Sequence, residues 1–412
     1  MAERTFAIVG AGMAGAKAAE TLRQEGFDGR IVLFGAEPEA PYERPPLSKG
    51  YLMGDSPRED ARVHPDGFLR EHDVELEPGV TVTALDAAAH TLELGDGRQV
   101  AYDRVLLATG AVPRRPPIEG SELDGVRVLR TLADADALRA ALEAGGTLAV
   151  IGAGWIGSEV TASARTKGSD VTLIEYAEHP LEGVLGSRLG AFFGDLHSEH
   201  GVRLLTGARV ERIEGDGRVD GVRLADGTLV ACDTVVLGVG VAPDTRLAES
   251  AGLRVDRGVL ADDHLRTSHP DVFAAGDVAN AWRPRYGRHV RVEHWANALE
   301  QGPAAARSML GDGAPFDALP YFFSDQYDVG MEYVGLHAPT DRLVLRGRPE
   351  ERRFHAFWLG GDGHMTAAMH VNEWDSIEPL KQLVADGAAV EPERLADDAE
   401  PLEALAGAAR HQ

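Results

Sequence analysis

The 412-residue chain contains one cysteine, Cys232. A single thiol excludes an internal disulfide, a paired-cysteine redox centre and any zinc or iron–sulfur site built on several thiolates. It also points to a reducing compartment. Basic charge is scarce too: 41 lysines and arginines stand against 66 aspartates and glutamates, a formal net charge of −25. Nonspecific nucleic-acid binding needs the opposite balance, and an acidic surface keeps a chain soluble and away from anionic membranes. Long apolar runs are missing. No stretch approaches the ~18 residues of a membrane span. Only a few polar residues separate Met1 from the apolar run Phe6 to Val9, which leaves no room for a signal peptide. The reading is a soluble cytoplasmic protein with neither a nucleic-acid nor a membrane partner.

Glycine, by contrast, is abundant, and it is patterned. Gly10-x-Gly12-x-x-Gly15 and Gly152-x-Gly154-x-x-Gly157 each follow an apolar run and open a helix-like stretch. In such a turn the first glycine permits the tight bend and the second lets backbone approach a pyrophosphate. The third lets helix and strand pack closely, while the helix N-terminus presents N–H groups and a positive dipole. One copy is weak evidence, since small-residue strand-to-helix turns are common. Both copies are followed by an acid at the end of a second apolar run: Ile31 to Phe34 leads to Glu37, and Val171 to Ile174 leads to Glu175. These carboxylates lie roughly 20 residues past the turn, where a ribose diol is bonded. Two dinucleotide sites in one chain imply electron transfer.

The order of segments repeats as well. Each glycine turn and its acid are followed by a meander of short strands, with turns at Gly95-Asp96-Gly97 and Ala225-Asp226-Gly227. Each half then closes on an apolar strand, Val105 to Ala108 before Thr109-Gly110 or Thr234 to Leu237 before Gly238 to Pro243. This is a duplicated nucleotide-binding fold, and the repeat is much too long for a solenoid. The segment Pro41 to Lys49 is too proline-rich for regular structure until after Pro46. Asp271 to Val278 reads as a strand returning to the first domain. From Leu319 the aromatics concentrate, at Tyr321, Phe322, Phe323, Tyr327, Tyr333, Phe354, Phe357, Trp358 and Trp374, which predicts a third, α+β domain. The acidic, alanine-rich tail after Gly387 predicts a helix packed on the surface.

On these residues the chain resembles the FAD-dependent NAD(P)H reductases that serve ferredoxins in cytochrome P450 and ring-hydroxylating oxygenase systems. The resemblance spans nearly the whole chain. Arg44-Pro45-Pro46-Leu47-Ser48-Lys49 is its most specific element. It is joined by Leu129-Arg130-Thr131-Leu132, Ser158-Glu159, Ala275-Gly276-Asp277, Asn297 to Gln301 and Ser324-Asp325-Gln326-Tyr327. It implies an α/β protein with two Rossmann-like dinucleotide-binding domains, a glutathione-reductase-like arrangement, plus a C-terminal α+β domain covering the flavin. The implied boundaries are 1–112 with 243–318 for FAD, 113–242 for NADH and 319–412 for the third domain.

The resemblance also implies roles. Gly10, Gly12, Ala14 and Gly15 would hold the FAD pyrophosphate and Glu37 the adenosine ribose, with Arg44, Val82 and Arg130 near the adenine and phosphates. Thr109, Gly110, Gly276, Asp277, Trp295 and Phe323 complete the FAD side. Asp277 would bond the ribityl chain or phosphate, and Trp295 would bring backbone to the isoalloxazine ring. Phe323 stands where relatives commonly carry tryptophan. On the NADH side stand Gly152, Gly154, Ile156, Gly157, Glu159, Glu175 and Gly240. Lys49, paired with Glu159, would lie by the reacting flavin nitrogen and stabilise charge that develops as hydride arrives. Glu175 repels the 2′-phosphate of NADPH, and Tyr176-Ala177-Glu178 supplies no arginine to hold it, which favours NADH. His294 and His370 are structural, because hydride transfer needs neither.

Tightly bound, non-covalent FAD as cofactor, NADH as substrate and a ferredoxin as partner follow, in a monomer or weak dimer. Ferredoxins are usually acidic, so docking on this acidic chain needs a positive patch. Arg283, Arg285, Arg288 and Arg291 form one candidate, and Arg342, Arg346, Arg348, Arg352 and Arg353 another. Competing readings are a thiol-dependent reductase, which needs a cysteine at the flavin, a peroxide-forming NADH oxidase, and a redox-sensing flavoprotein akin to apoptosis-inducing factor.

Overall fold

The structure, a computed structural model, describes residues 4–408. It comprises two compact units. The first contains the chain up to Arg44, Arg58–Val112 and Val241–Ala318; the second contains Pro45–Pro57, Pro113–Gly240 and the chain from Leu319 onward.

The first unit is built on a parallel sheet in the order Val272–Ala274, Arg104–Leu107, Thr5–Val9, Arg30–Gly35, Val74–Pro78. Its inner strands are continuous apolar runs because both faces are covered. Helices Met13–Gln24 and Trp295–Leu310 lie on one face. The antiparallel meander Val82–Asp86, Thr91–Leu94, Gln99–Ala101 lies on the other. Val82 heads that meander, opposite Leu94. The strand expected to return does so, with Val272 beside Val105.

The second unit repeats the plan, with parallel strands ordered Arg203–Leu205, Asp170–Ile174, Thr147–Ile151, Thr234–Leu237, Val126–Arg127. Its meander is Val210–Gly215, Val219–Leu224, Leu229–Ala231. It also holds an antiparallel sheet ordered Tyr321–Gln326, Val329–Gly335, Met365–Val371, Arg353–Leu359, Arg342–Arg348. One face of that sheet buries Phe322, Tyr333 and Trp358 against Phe193 and Leu196 of helix Ser187–Glu199. The other carries helix Ile377–Ala385 and the tail helices.

Two expectations are refined. The tail, expected as a helix packed on the surface, forms two short helices, Pro392–Ala396 and Leu402–Ala408, whose Leu395, Leu402 and Leu405 are buried in the core of the C-terminal sheet. Regular structure in the proline segment begins earlier than expected, with a 3₁₀ turn at Pro45–Ser48 followed by helix Gly50–Met53. Prolines in the first turn sacrifice no intrahelical hydrogen bond. This segment is tied to the second unit: Ser163 Oγ donates to Ser48 O (2.6 Å), Tyr51 Oη to Asp136 Oδ1 (2.5 Å), and Lys167 lies 3.6 Å from Asp55. Among the described residues no helix is long and apolar enough to cross a membrane.

Candidate active site

The two glycine turns share one geometry. A Cβ on Gly10 would meet Ala108 O at 2.1 Å, and one on Gly15 would meet Gly10 O at 2.0 Å. The corresponding approaches are 2.7 Å for Gly152 to Gly238 O and 1.9 Å for Gly157 to Gly152 O. Protein packing therefore accounts for the outer glycines. It does not account for the middle ones, since among the described residues a Cβ on Gly12 or Gly154 would find no atom beyond its own chain neighbours within 4 Å. Both sit in extended backbone at the N-cap of their helices, at φ −86° and −74°, which any residue adopts. An open cradle at the positive end of a helix suits a pyrophosphate, so the residues fit a dinucleotide at each turn.

Around the first turn, Ala14 is buried, and a Cβ on Gly302 of the facing helix would meet Ala14 O at 2.4 Å. Gly276 N donates to Gln301 Oε1 (2.8 Å), which anchors the Gly276–Val278 turn bearing Asp277. Thr109 Oγ1 donates to Asp244 O (2.7 Å), and Asp244 N to Gly110 O (2.9 Å). Glu37 accepts from Tyr42 Oη and from Arg44 Nη2 (2.9 Å for the latter), so its carboxylate is already oriented. Asp277 acts electrostatically on Arg44. Trp295 opens its helix, and the preceding His294 is pushed down to about 4 by burial, which the Asp277 charge only partly offsets. A neutral buried imidazole fits the structural role expected of it.

In the second unit Glu175 accepts from two backbone N–H groups, Ala153 (2.6 Å) inside the glycine turn and Ala177 (2.9 Å) beyond it. The carboxylate is thereby locked to the turn. Ile156 is exposed on the first helical turn, and Gly240, at φ +89°, accepts from Arg114 N (2.9 Å). Arg130 lies in this unit, outside the one that holds Gly10; its backbone N donates to Asp134 Oδ2 (3.1 Å), beside the capping box of Thr131.

Lys49 and Glu159 meet. Lys49 Nζ is 2.7 Å from Glu159 Oε2, which also accepts from Ser48 Oγ (2.5 Å). Glu159 Oε1 accepts from Ser324 Oγ (2.7 Å). Glu159 is 4% exposed, so every lone pair direction it needs is met inside the protein. The Phe323 ring lies 5.4 Å from Lys49 Nζ, within cation–π range. Beside it, Glu332 accepts from Tyr321 Oη and pairs with His370 Nε2 (2.6 Å), which gives His370 its structural role. Ser48, Ser324 and Glu332 had no functional assignment in the sequence. The strings Arg44 to Lys49 and Ser324 to Tyr327 were the signals for the two serines, and Glu332 had none.

The arginine clusters are largely not a patch. Arg283 is 2% exposed, bonded to Asn297 Oδ1 (2.6 Å) and Ala318 O (3.1 Å) and stacked on Phe316. Arg346 is buried as well, bonded to Glu400 O. Arg285, Arg291, Arg348, Arg352 and Arg353 are paired with Asp317, Glu293, Glu351, Asp328 and Glu373 respectively. Among the described residues of the two clusters, Arg288 and Arg342 stand exposed without an ion pair. Cys232 is buried, and burial together with Asp233 and Asp220 pushes its thiol up to about 12, so it is no nucleophile.

Residues 4–302 match the family model described as pyridine nucleotide-disulphide oxidoreductase, and residues 321–406 match one described as reductase C-terminal. The chain is 42% identical over 405 residues to the 5,5'-dehydrodivanillate O-demethylase ferredoxin reductase subunit of a Sphingobium species, covering 97% of this chain and 98% of that one. It is 38% identical over 410 residues to putidaredoxin reductase CamA of Pseudomonas putida, covering 98% and 97%. Among solved structures, the covalent putidaredoxin reductase–putidaredoxin complex is similar with a TM-score of 0.96 at 37% identity over the full length of both chains.

Proposed function

The chain belongs to the pyridine nucleotide-disulphide oxidoreductase family, and we propose that within it this chain is an FAD-dependent NADH:ferredoxin reductase supplying a cytochrome P450 or another oxygenase. Disulphide chemistry is closed to it, since its one thiol is buried and has no partner cysteine. Bound FAD accepts two electrons as hydride and releases them singly, which suits a one-electron iron–sulfur acceptor.

The observation that carries this reading is the buried Lys49–Glu159 pair, held by Ser48 and Ser324 in the unit that also bears the second glycine turn. A cation so fixed lowers the energy of negative charge appearing beside it without reorganising when hydride arrives. Glu159 offsets the desolvation of the ammonium, and the serines fix the carboxylate. Gly12 and Gly154 would admit the two pyrophosphates, with Glu37 and Glu175 on the riboses. The anchored Glu175 favours NADH over NADPH. Arg288 and Arg342, the clustered arginines left unpaired, are where an acidic partner would find positive charge.

The test is anaerobic reduction of the FAD-loaded protein by NADH, followed by mixing with a panel of iron–sulfur ferredoxins or with oxygen. Fast NADH reduction with electron delivery to a ferredoxin supports the reading. Rapid peroxide formation with no ferredoxin turnover would instead make the chain an oxidase, and a long-lived reduced complex with no acceptor would make it a redox sensor.

A further inference from the structure

The function proposed above seats the adenosine ribose of NADH on Glu175 and leaves the base of that nucleoside without a protein surface. Resting on that reading, we propose that the ring of Tyr176 stacks on the adenine of NADH and thereby recognises the purine half of the coenzyme. Glu175, Tyr176 and the glycine turn all belong to the second unit.

Exposure is the first observation. Tyr176 is 76% exposed, more than any other large hydrophobic side chain among the described residues. Seven such side chains are exposed among the described residues, and three of them gather about one residue of the glycine turn, Ala153. Ile156 lies three positions beyond Ala153 on the first turn of helix Trp155–Thr166. Tyr176 follows Glu175, whose Oε2 accepts from Ala153 N (2.6 Å). Val184 N donates to Leu181 O (2.9 Å), and Leu181 N donates to Ala153 O (2.9 Å). Apolar surface concentrated in this way at the mouth of a cradle marks a binding site.

The main chain on both sides of Tyr176 is fixed. Glu175 N donates to Leu205 O (2.8 Å), Ala208 N to Glu175 O (2.9 Å) and Gly207 N to Ala177 O (2.9 Å), while Ala177 N donates to Glu175 Oε1 (2.9 Å). A ring presented from so rigid a segment gives up little backbone freedom on binding. The chemistry of the nucleoside supplies the rest. Its base is bonded to C1′, the carbon next to the one bearing the 2′-hydroxyl, so a carboxylate on the ribose diol holds the base within a side-chain length of the residue that follows. Ligands of such sheets lie outside the carboxyl ends of the strands, and Tyr176 is two residues past the end of strand Asp170–Ile174. Its hydroxyl has no hydrogen-bond partner among the described residues, so a base covering the ring breaks no existing bond. Stacking reads the face of a base and not its edge, which makes Tyr176 a recognition surface for purine dinucleotides as a class.

The experiment titrates the FAD-loaded full-length protein calorimetrically with ADP-ribose and follows its anaerobic reduction by NADH. Tyr176→Ala should weaken ADP-ribose binding by about tenfold, and Tyr176→Phe, which keeps the ring, should stay within about twofold of the native affinity. The NADH concentration giving half-maximal reduction should rise by a like factor in Tyr176→Ala while the limiting rate at saturation is unchanged, because the ring binds coenzyme and does not touch the reacting atoms. Native ADP-ribose affinity in Tyr176→Ala would overturn the proposal, and so would an equal loss in Tyr176→Phe. Should Tyr176→Ala fail to fold, Tyr176→Leu decides in its place by the same titration, and native affinity there counts equally against stacking. Native ADP-ribose affinity joined to a raised KM for ferredoxin would hand the ring to the protein partner and overturn the proposal as well. If the native protein neither binds ADP-ribose nor is reduced by NADH, the functional reading and this inference fall together; ordinary reduction with native binding in Tyr176→Ala removes this inference alone.

Discussion

Lys49 Nζ and Glu159 Oε2 lie 2.7 Å apart although 110 positions separate them in the chain. Breaking such a pair by removing one partner strands the other charge. Glu159→Leu should therefore cost about 3 kcal/mol of stability, and Glu159→Gln less, because an amide oxygen still accepts from the serines. Denaturant unfolding of both variants measures this, and equal losses would count against the pairing argument. In FAD-loaded Lys49→Ala, reduction by NADH should slow by about a hundredfold. A native rate in that variant would sink the catalytic role of Lys49.

The glycines of one turn should separate into two classes. Gly157→Ala places a methyl 1.9 Å from Gly152 O and should prevent correct folding of the turn. Gly154→Ala meets no protein atom, and its backbone is already compatible with alanine. It should leave thermal stability unchanged or raise it by about 0.5 kcal/mol, yet weaken NADH binding by at least about tenfold. Calorimetric titration with NAD+ or ADP-ribose, beside a melting curve, checks both halves.

Glu175 is held by Ala153 N and Ala177 N, so its charge cannot swing away from an approaching 2′-phosphate. Glu175→Gln should narrow the NADH-to-NADPH ratio of kcat/KM by about tenfold, mainly through a better value for NADPH. An unchanged ratio would place coenzyme selection elsewhere.

Arg283 and Arg288 are five residues apart and should behave oppositely. Arg283→Ala empties a site stacked on Phe316 and leaves Asn297 Oδ1 unpaired, costing about 3 kcal/mol of stability. Its loss should not alter the salt dependence of ferredoxin reduction. Arg288→Glu should leave stability within about 0.5 kcal/mol and raise KM for the ferredoxin, with a flatter salt dependence.

Burial pushes His197, His294 and His355 down to about 4 from an ordinary value of 6.5. The unfolded chain binds these protons first, so the contribution is complete above about pH 6.5. It shrinks as pH falls toward 4, by up to about 3 kcal/mol for each imidazole. Urea midpoints at pH 7.5, 6 and 5 should fall in that order. His197→Phe should flatten the decline, and a midpoint constant over this range would contradict it.

Much of this was legible in sequence because it is local. Apolar run, glycine turn, helix and acid lie within about 30 residues, and the spacing reflects the reach of one strand–helix–strand unit. The returning strand was legible because an apolar run ending in Gly276-Asp277 had nowhere else to pair. The arginine clusters misled because nearness in sequence says nothing about which guanidinium is buried. Arg283 alternates inward on its strand and Arg288 does not. The helical tail was legible from its composition, but that Leu395, Leu402 and Leu405 fill the gap above the C-terminal sheet was not, because the sheet they meet is assembled from distant strands.

What the sequence determined by itself is the pair of nucleotide turns, their acids and their order, since short-range sterics and hydrophobic periodicity decide them. Only the tertiary structure decided that Ser48 and Lys49 are built into the second unit, where Glu159 and Ser324 receive them. That outcome depends on desolvating an ion pair with its hydrogen-bond partners from three distant segments together, and such burial is favourable only when every partner arrives.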